Sequence, residues 1–249
     1  MSDPFPIPVP ARLPDSISPC PIVEAIFELR FTTTETWATL PGLLYALIRD
    51  KYRDQRRLPL DHVPEELRKD SAFTHMPLLQ FLSPDFLIQL GPRVISLVTK
   101  SNAYPGWPRI KQELEWLLGE IKKAGFLDEG ERLGIRYIDF FAEDIFPNLL
   151  LNVHLCGQPL KGSECQVATV LRRPPLAMRL IASNGAVVKV DGVPKSGSIL
   201  DVDAWFGALD FDVFENGVKR FDDAHLAVKQ LFFGLLREEY LATLNPQYP

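Results

Sequence analysis

The sequence predicts an α+β fold with a mainly antiparallel, curved sheet packed by three main helices, the last of them long and C-terminal. Three observations carry this. Residues 21–31 (Pro-Ile-Val-Glu-Ala-Ile-Phe-Glu-Leu-Arg-Phe) alternate with period two: Val23, Ala25, Phe27, Leu29 and Phe31 share one face, and Ile22, Glu24, Ile26, Glu28 and Arg30 the other. That is a strand with one dry and one mixed face. Residues 107–124 instead place Ile110, Leu114, Leu117, Ile121 and Ala124 on one helical stripe. Strand-like segments cluster along the chain and helices stand apart from them, which argues against a doubly wound parallel sheet.

The elements follow in order. Six prolines, Pro4, Pro6, Pro8, Pro10, Pro14 and Pro19, favour extended backbone over residues 1–20, and Pro21 follows directly. This is an arm, lying on the domain surface or binding a partner. An α+β half over 21–145 and a β-rich half over 146–249 follow, as two domains or one continuous one. After the first strand, a helix near 41–52 tolerates Pro41 in its first turn. Its stripe is Leu40, Leu43, Leu44, Leu47 and Ile48. The charged stretch from Lys51 to Leu67 reads as a loop with a short helix at 64–69. Gly91-Pro92 separates strands at 86–90 and 94–99. Lys122, Lys123 and Gly125 suit the C-terminal end of the 107–124 helix. A strand spans 132–141. Short strands near 149–155, 164–172, 176–183 and 186–191 are divided by turn residues, and Asn184-Gly185 is the strongest hairpin signal. Another strand spans 199–205. A helix at 222–241, capped by Asp222, closes the chain.

The 249 residues carry 46% apolar and 24% charged side chains and a net charge of −5. Nothing in that balance draws the chain toward nucleic acid or an anionic membrane. Neither a membrane-length apolar run nor a secretory leader is expected. Cys20, Cys156 and Cys165, odd in number and without metal-like spacing, fit a reducing cytoplasm. The basic cluster Lys51, Arg53, Arg56 and Arg57 lacks interleaved aromatics and reads as a solvated loop.

Three segments, 21–31, 132–139 (Arg-Leu-Gly-Ile-Arg-Tyr-Ile-Asp) and the closing helix with His225 and Phe232, together resemble a family of sporadically distributed, uncharacterised bacterial proteins. That family usually carries Asn at the position of Asp139. The resemblance implies no activity, cofactor or catalytic residue. The family's patchy occurrence implies a setting in bacterial defence or toxin neutralisation.

The candidate chemistry is sparse. There is no nucleophile elbow, phosphate loop or dinucleotide fingerprint, and His62, His75, His154 and His225 do not pair at ligand spacing. His225 is expected to satisfy a local hydrogen bond. Asp201 and Asp203 would share a strand face about 6.6 Å apart, a spacing that suits a divalent cation or an acid–base pair as well as a solvated face. Glu28 and Arg30 are expected to pair. Arg136, on a central strand, needs a carboxylate, and Glu24 or Glu28 are the expected partners in a structural ion pair. The other reading makes Arg136, Tyr137, Glu24 and Glu28 interaction residues, together with Phe233 and Tyr240 on a second apolar stripe of the closing helix. The expectation is therefore a non-enzymatic protein-interaction component, cytoplasmic and without cofactor, acting on a protein partner or its own copy. Two alternatives stand beside it: a divalent-metal-dependent hydrolase using Asp201 and Asp203, and a small-molecule sensor.

Overall fold

The computed structural model describes residues 10–64, 67–68, 73–100, 104–159, 164–190 and 193–249. Its strands are β1 (Ile22–Thr32), β2 (Asp54–Arg57), β3 (Leu79–Leu82), β4 (Phe86–Gly91), β5 (Val94–Thr99), β6 (Glu129–Phe141), β7 (His154–Leu155), β8 (Gln158–Pro159), β9 (Gln166–Arg173), β10 (Leu176–Val190) and β11 (Val193–Gly207). The helices are α1 (Leu40–Ile48), α2 (Trp107–Ala124), α3 (Val213–Leu235) and α4 (Glu238–Thr243). Nine strands form one large antiparallel sheet in the order β2-β3-β4-β5-β1-β6-β11-β10-β9, and β7 and β8 form a separate hairpin. The α+β class, the antiparallel sheet and the long helix near the C-terminus agree with the sequence reading. Two compact units divide the chain.

One unit comprises residues 25–135 and 205–222. The dry face of β1 is buried from Ala25 onward, with Ala25, Phe27, Leu29 and Phe31 all within 3% of full burial, while Val23 at its start is half-buried. Phe27 meets Phe221 edge-on at 6.3 Å, and Phe31 packs on Phe126 at 5.4 Å. Each such ring contributes about 1.5–3 kcal/mol by leaving water. β2 to β5 form a meander, and β1 pairs with β5 in the register Phe27 to Leu97. β2 corrects a segment read as loop: Asp54 to Arg57 pair with Leu82 to Leu79. All four of its residues are exposed, so hydrophobic alternation had nothing to report. The short helix expected at 64–69 lies largely outside the described residues; a 3-10 turn occupies Pro59–His62.

α2 buries Ile110, Leu114, Leu117 and Ile121 of the predicted stripe and leaves Ala124 half-buried. It also buries Glu113, whose carboxylate accepts from Tyr52 Oη at 2.9 Å and from Lys51 Nζ. It ends at Gly125 in the left-handed conformation (φ 70°), and the Gly125 N–H closes on the Ile121 carbonyl at 3.1 Å. α3 begins nine residues before the expected start. Asp212 Oδ1 accepts from the Phe214 and Glu215 N–H groups, and this is its N-terminal cap. Asp222 lies inside the helix and instead accepts from Trp107 Nε1 at 2.8 Å and Lys111 Nζ at 2.6 Å. Buried Val213 and Phe221 anchor the two added turns.

The other unit comprises residues 1–24, 136–204 and 223–249. In β6, Tyr137, Asp139 and Phe141 are buried while Arg136, Ile138 and Phe140 are half-buried. β9 and β10 pair from Arg173–Leu176 to Gln166–Ser183. Asn184-Gly185 is no hairpin, because β10 runs through it to Val190. The pair forms an irregular step within the strand instead. Gly185 takes φ 69°, and the Asn184 carboxamide oxygen accepts from the Cys165 N–H at 2.7 Å. The Asp191-Gly192 turn lies outside the described residues.

The helix expected at 222–241 is two. α3 stops at Leu235, and the backbone then extends to pair with residues 148–150. The Leu150 N–H donates to the Leu235 carbonyl at 2.7 Å, and the Arg237 N–H to the Asn148 carbonyl at 2.9 Å. α4 starts afresh at Glu238. The described part of the proline-rich arm is tied to the C-terminal segment. The Asp15 N–H donates to the Gln247 carbonyl at 2.6 Å, Gln247 returns a bond to Ser16 at 2.9 Å, and Ser18 donates to Leu244 at 2.7 Å.

Candidate functional site

The face of β6 and β11 opposite the apolar one carries the first cluster. Arg136 is half-buried, and its guanidinium grips Asp201 in two parallel bonds, Nε to Oδ1 at 2.8 Å and Nη2 to Oδ2 at 2.7 Å. Arginine's planar fork favours this bidentate geometry. The partner is therefore Asp201, not Glu24 or Glu28 as the sequence led one to expect. Sequence distance hid it, because 65 residues separate Arg136 from Asp201. Glu24 and Asp203 lie close enough to Arg136 to interact with its charge. Burial raises the Glu24 carboxyl above the ordinary carboxylate range, Arg136 draws it partly back, and Asp201 pushes it up. Three carboxylates thus share one guanidinium.

The opposite face of β6 holds Tyr137 and Asp139. Tyr137 Oη lies 2.9 Å from His225 Nδ1 on α3, and the two rings meet edge-on at 5.9 Å. The histidine's bond is thus long-range rather than local. Asp139 is only 3% exposed. Burial, and then the charge of Asp201, push its carboxyl up to about 8.

Glu28 belongs to the other unit. It accepts from Arg30 Nε at 2.7 Å, as the two-residue spacing leads one to expect, and from Arg132 Nη1 at 2.5 Å. Arg132 also lies over the Trp205 ring at 5.3 Å. In this same unit a cleft of about 530 Å³ is bordered by Asp50, Lys51, Arg53, Asp54, Ser83 and Lys100. Lys51 is engaged by Glu113, and Lys100 by the Ser83 carbonyl.

Phe233 and Tyr240 stand on different helices. Phe233 is 8% exposed and packs edge-on against Phe232 at 5.1 Å. Tyr240, on α4, packs on Phe141 at 6.2 Å and donates its hydroxyl to Glu143. Burial, and then the Glu143 acceptor, raise its phenol above the ordinary range. The stripe imagined for one continuous helix is therefore not a single surface. Among the described residues no group of three or more His, Cys, Asp or Glu side chains could hold a metal ion, and Asp201 gives both oxygens to Arg136.

The sheet's edges supply the feature that sequence reasoning passed over. One edge is β2, four residues long, with charge at Asp54, Arg56 and Arg57. The other is β9, Gln-Val-Ala-Thr-Val-Leu-Arg-Arg, eight residues long. It has no proline, and no charge before Arg172. It is exposed or half-buried throughout, and Val170 is 46% exposed. Val167, Thr169 and Leu171 lie across from the buried Ala182, Leu180 and Met178, so they face the core side; Gln166, Ala168, Val170 and Arg172 face the other. Proteins usually shorten, charge or cover such an edge, as β2 is here. The composition of β9 was visible in the sequence, but its place at the edge was not.

These features describe an α+β scaffold with paired charges on its sheet and, among the described residues, an uncovered edge strand, β9. No family model matches the chain, and no curated protein does. Among the described residues no helix is long and apolar enough to cross a membrane.

Proposed function

We propose that this protein is an interaction component that binds another protein strand along β9. The carrying observation is the asymmetry of the sheet's edges: β2 is short and charged, whereas β9 is eight residues long, uncharged until Arg172 and largely exposed. An unpaired edge offers a row of N–H and C=O groups, and an added strand satisfies them while alternate side chains supply specificity. The cluster around Arg136 supports a structural reading better than a metal site, since a cation at Asp201 would have to displace a bidentate guanidinium. The three free thiols support a reducing, cytoplasmic setting. A role in bacterial defence or toxin neutralisation rests on the family resemblance alone.

The test is co-purification from the source cells with the full chain and with an Ala168→Lys/Val170→Lys variant. Both side chains are exposed, so the fold tolerates the change, and lysine protects edge strands. The native chain is expected to retain a stoichiometric protein, foreign or its own copy, that the variant loses. A partner retained by the variant would move the site elsewhere. A native chain that is alone and monomeric would remove the reading.

A further inference from the structure

We propose that β9 pairs with β9 of a second copy, antiparallel about a two-fold axis through Ala168, so that the sheet continues across a homodimer. This rests on the edge-strand reading above and names its occupant. The argument is charge complementarity within one strand. Glu164 lies just before β9 and Arg172 near its end. Both are exposed, and neither has an ion-pair partner among the described residues. Beyond Gln166 one backbone bond continues, from the Asn184 N–H to the Cys165 carbonyl at 3.1 Å, and the Glu164 side chain lies over Gly185 of β10, the position across from it, so Glu164 stands on the same face as Arg172. Eight residues of extended chain hold them about 27 Å apart, too far to pair with each other.

A two-fold axis normal to a sheet keeps every side chain on its own face. Only residues that share a face can then lie opposite one another, which restricts the registers. With Ala168 opposite its own copy, Gln166 meets Val170, and Glu164 meets Arg172 at both ends. Moving the centre to Val167 puts Glu164 opposite Val170. Moving it to Thr169 puts Glu164 opposite Pro174. Both shifts lose the two ion pairs. Opposite charges directly across a ladder stabilise it and like charges destabilise it. The small Ala168 suits the axis, where a side chain meets itself. On the core side the same register sets Val167 against Thr169 and Cys165 against Leu171, covering apolar surface that β9 leaves half-exposed.

The test is sedimentation equilibrium of the full chain and three variants, Glu164→Arg, Arg172→Glu and the double exchange. The native chain is expected to show a reversible monomer–dimer equilibrium. Each single reversal turns two attractions into two repulsions and is expected to weaken the dimer about tenfold. The double exchange is expected to restore the constant to within about threefold. Both positions are exposed, so circular dichroism of the single variants at monomer concentration should match the native chain. A dimer whose constant ignores both reversals overturns this register. A native monomer at every concentration overturns self-pairing, and the co-purification experiment, which reads any protein strand, then decides the broader proposal independently.

Discussion

Asp139 is an unusual residue to find on the apolar face of a central strand. In the unfolded chain its carboxyl titrates near 3.9, and in the fold near 8. Between those values the folded state binds the extra proton, so Asp139 makes stability fall as pH rises from about 4 to about 8. Asp139→Asn keeps the shape and removes the titration. The variant is expected to match the native chain near pH 4 and to gain on it steadily as pH rises, by about 5 kcal/mol near pH 8, read by urea unfolding across pH. Parallel stability profiles would show that Asp139 is not held neutral. Arg136 poses the converse case. Removing its guanidinium leaves Asp201, with a side chain 8% exposed, beside Glu24 and Asp203 without their common cation. A fully buried pair broken this way costs about 3–5 kcal/mol. The Arg136 side chain is 38% exposed, so solvent screening lowers the expected cost of Arg136→Ala to about 2–3 kcal/mol. An unchanged unfolding midpoint would make Arg136 a surface contact instead of a structural one.

Among the elements, α2 is the one whose limits the sequence states most fully. Its stripe, its terminal lysines and Gly125 all point to the same end. An added Cβ at Gly125 meets nothing within 4 Å, so only the left-handed backbone opposes it. Gly125→Ala is therefore expected to cost about 1 kcal/mol and Gly125→Asn less, measured as shifts in thermal unfolding. Equal melting temperatures for all three chains would show that the cap does not hold the helix end. Asn184-Gly185 shows where the same local logic misleads. The dipeptide favours positive φ, and Gly185 adopts it, but β10 continues through the step while pairing to β9 ends. Local preference specified the dihedral, and the neighbouring strand decided whether the chain turned back. The closing helix failed similarly. Leu236 and Arg237 have no helix-breaking chemistry, yet their backbone pairs with residues 148–150, a contact no window of sequence contains.

For the molecule as a whole, the sequence determined by itself the α+β class, the antiparallel character of the sheet and the buried face of β1. Alternation and helical periodicity are written in neighbouring residues, and burial of apolar surface enforces them wherever the chain folds. It also determined the Glu28–Arg30 pair, because two residues along one strand face are neighbours in any fold. Only the tertiary structure decided that Asp201 receives Arg136 and that His225 receives Tyr137, across 65 and 88 residues of chain. It alone placed the all-polar β2 in the sheet, since an exposed strand leaves no hydrophobic period to read. And it alone made β9 an edge. Whether a strand lies inside or at the border of a sheet depends on which strands pair beside it, and that order is set by long-range hydrogen bonding that no local spacing encodes.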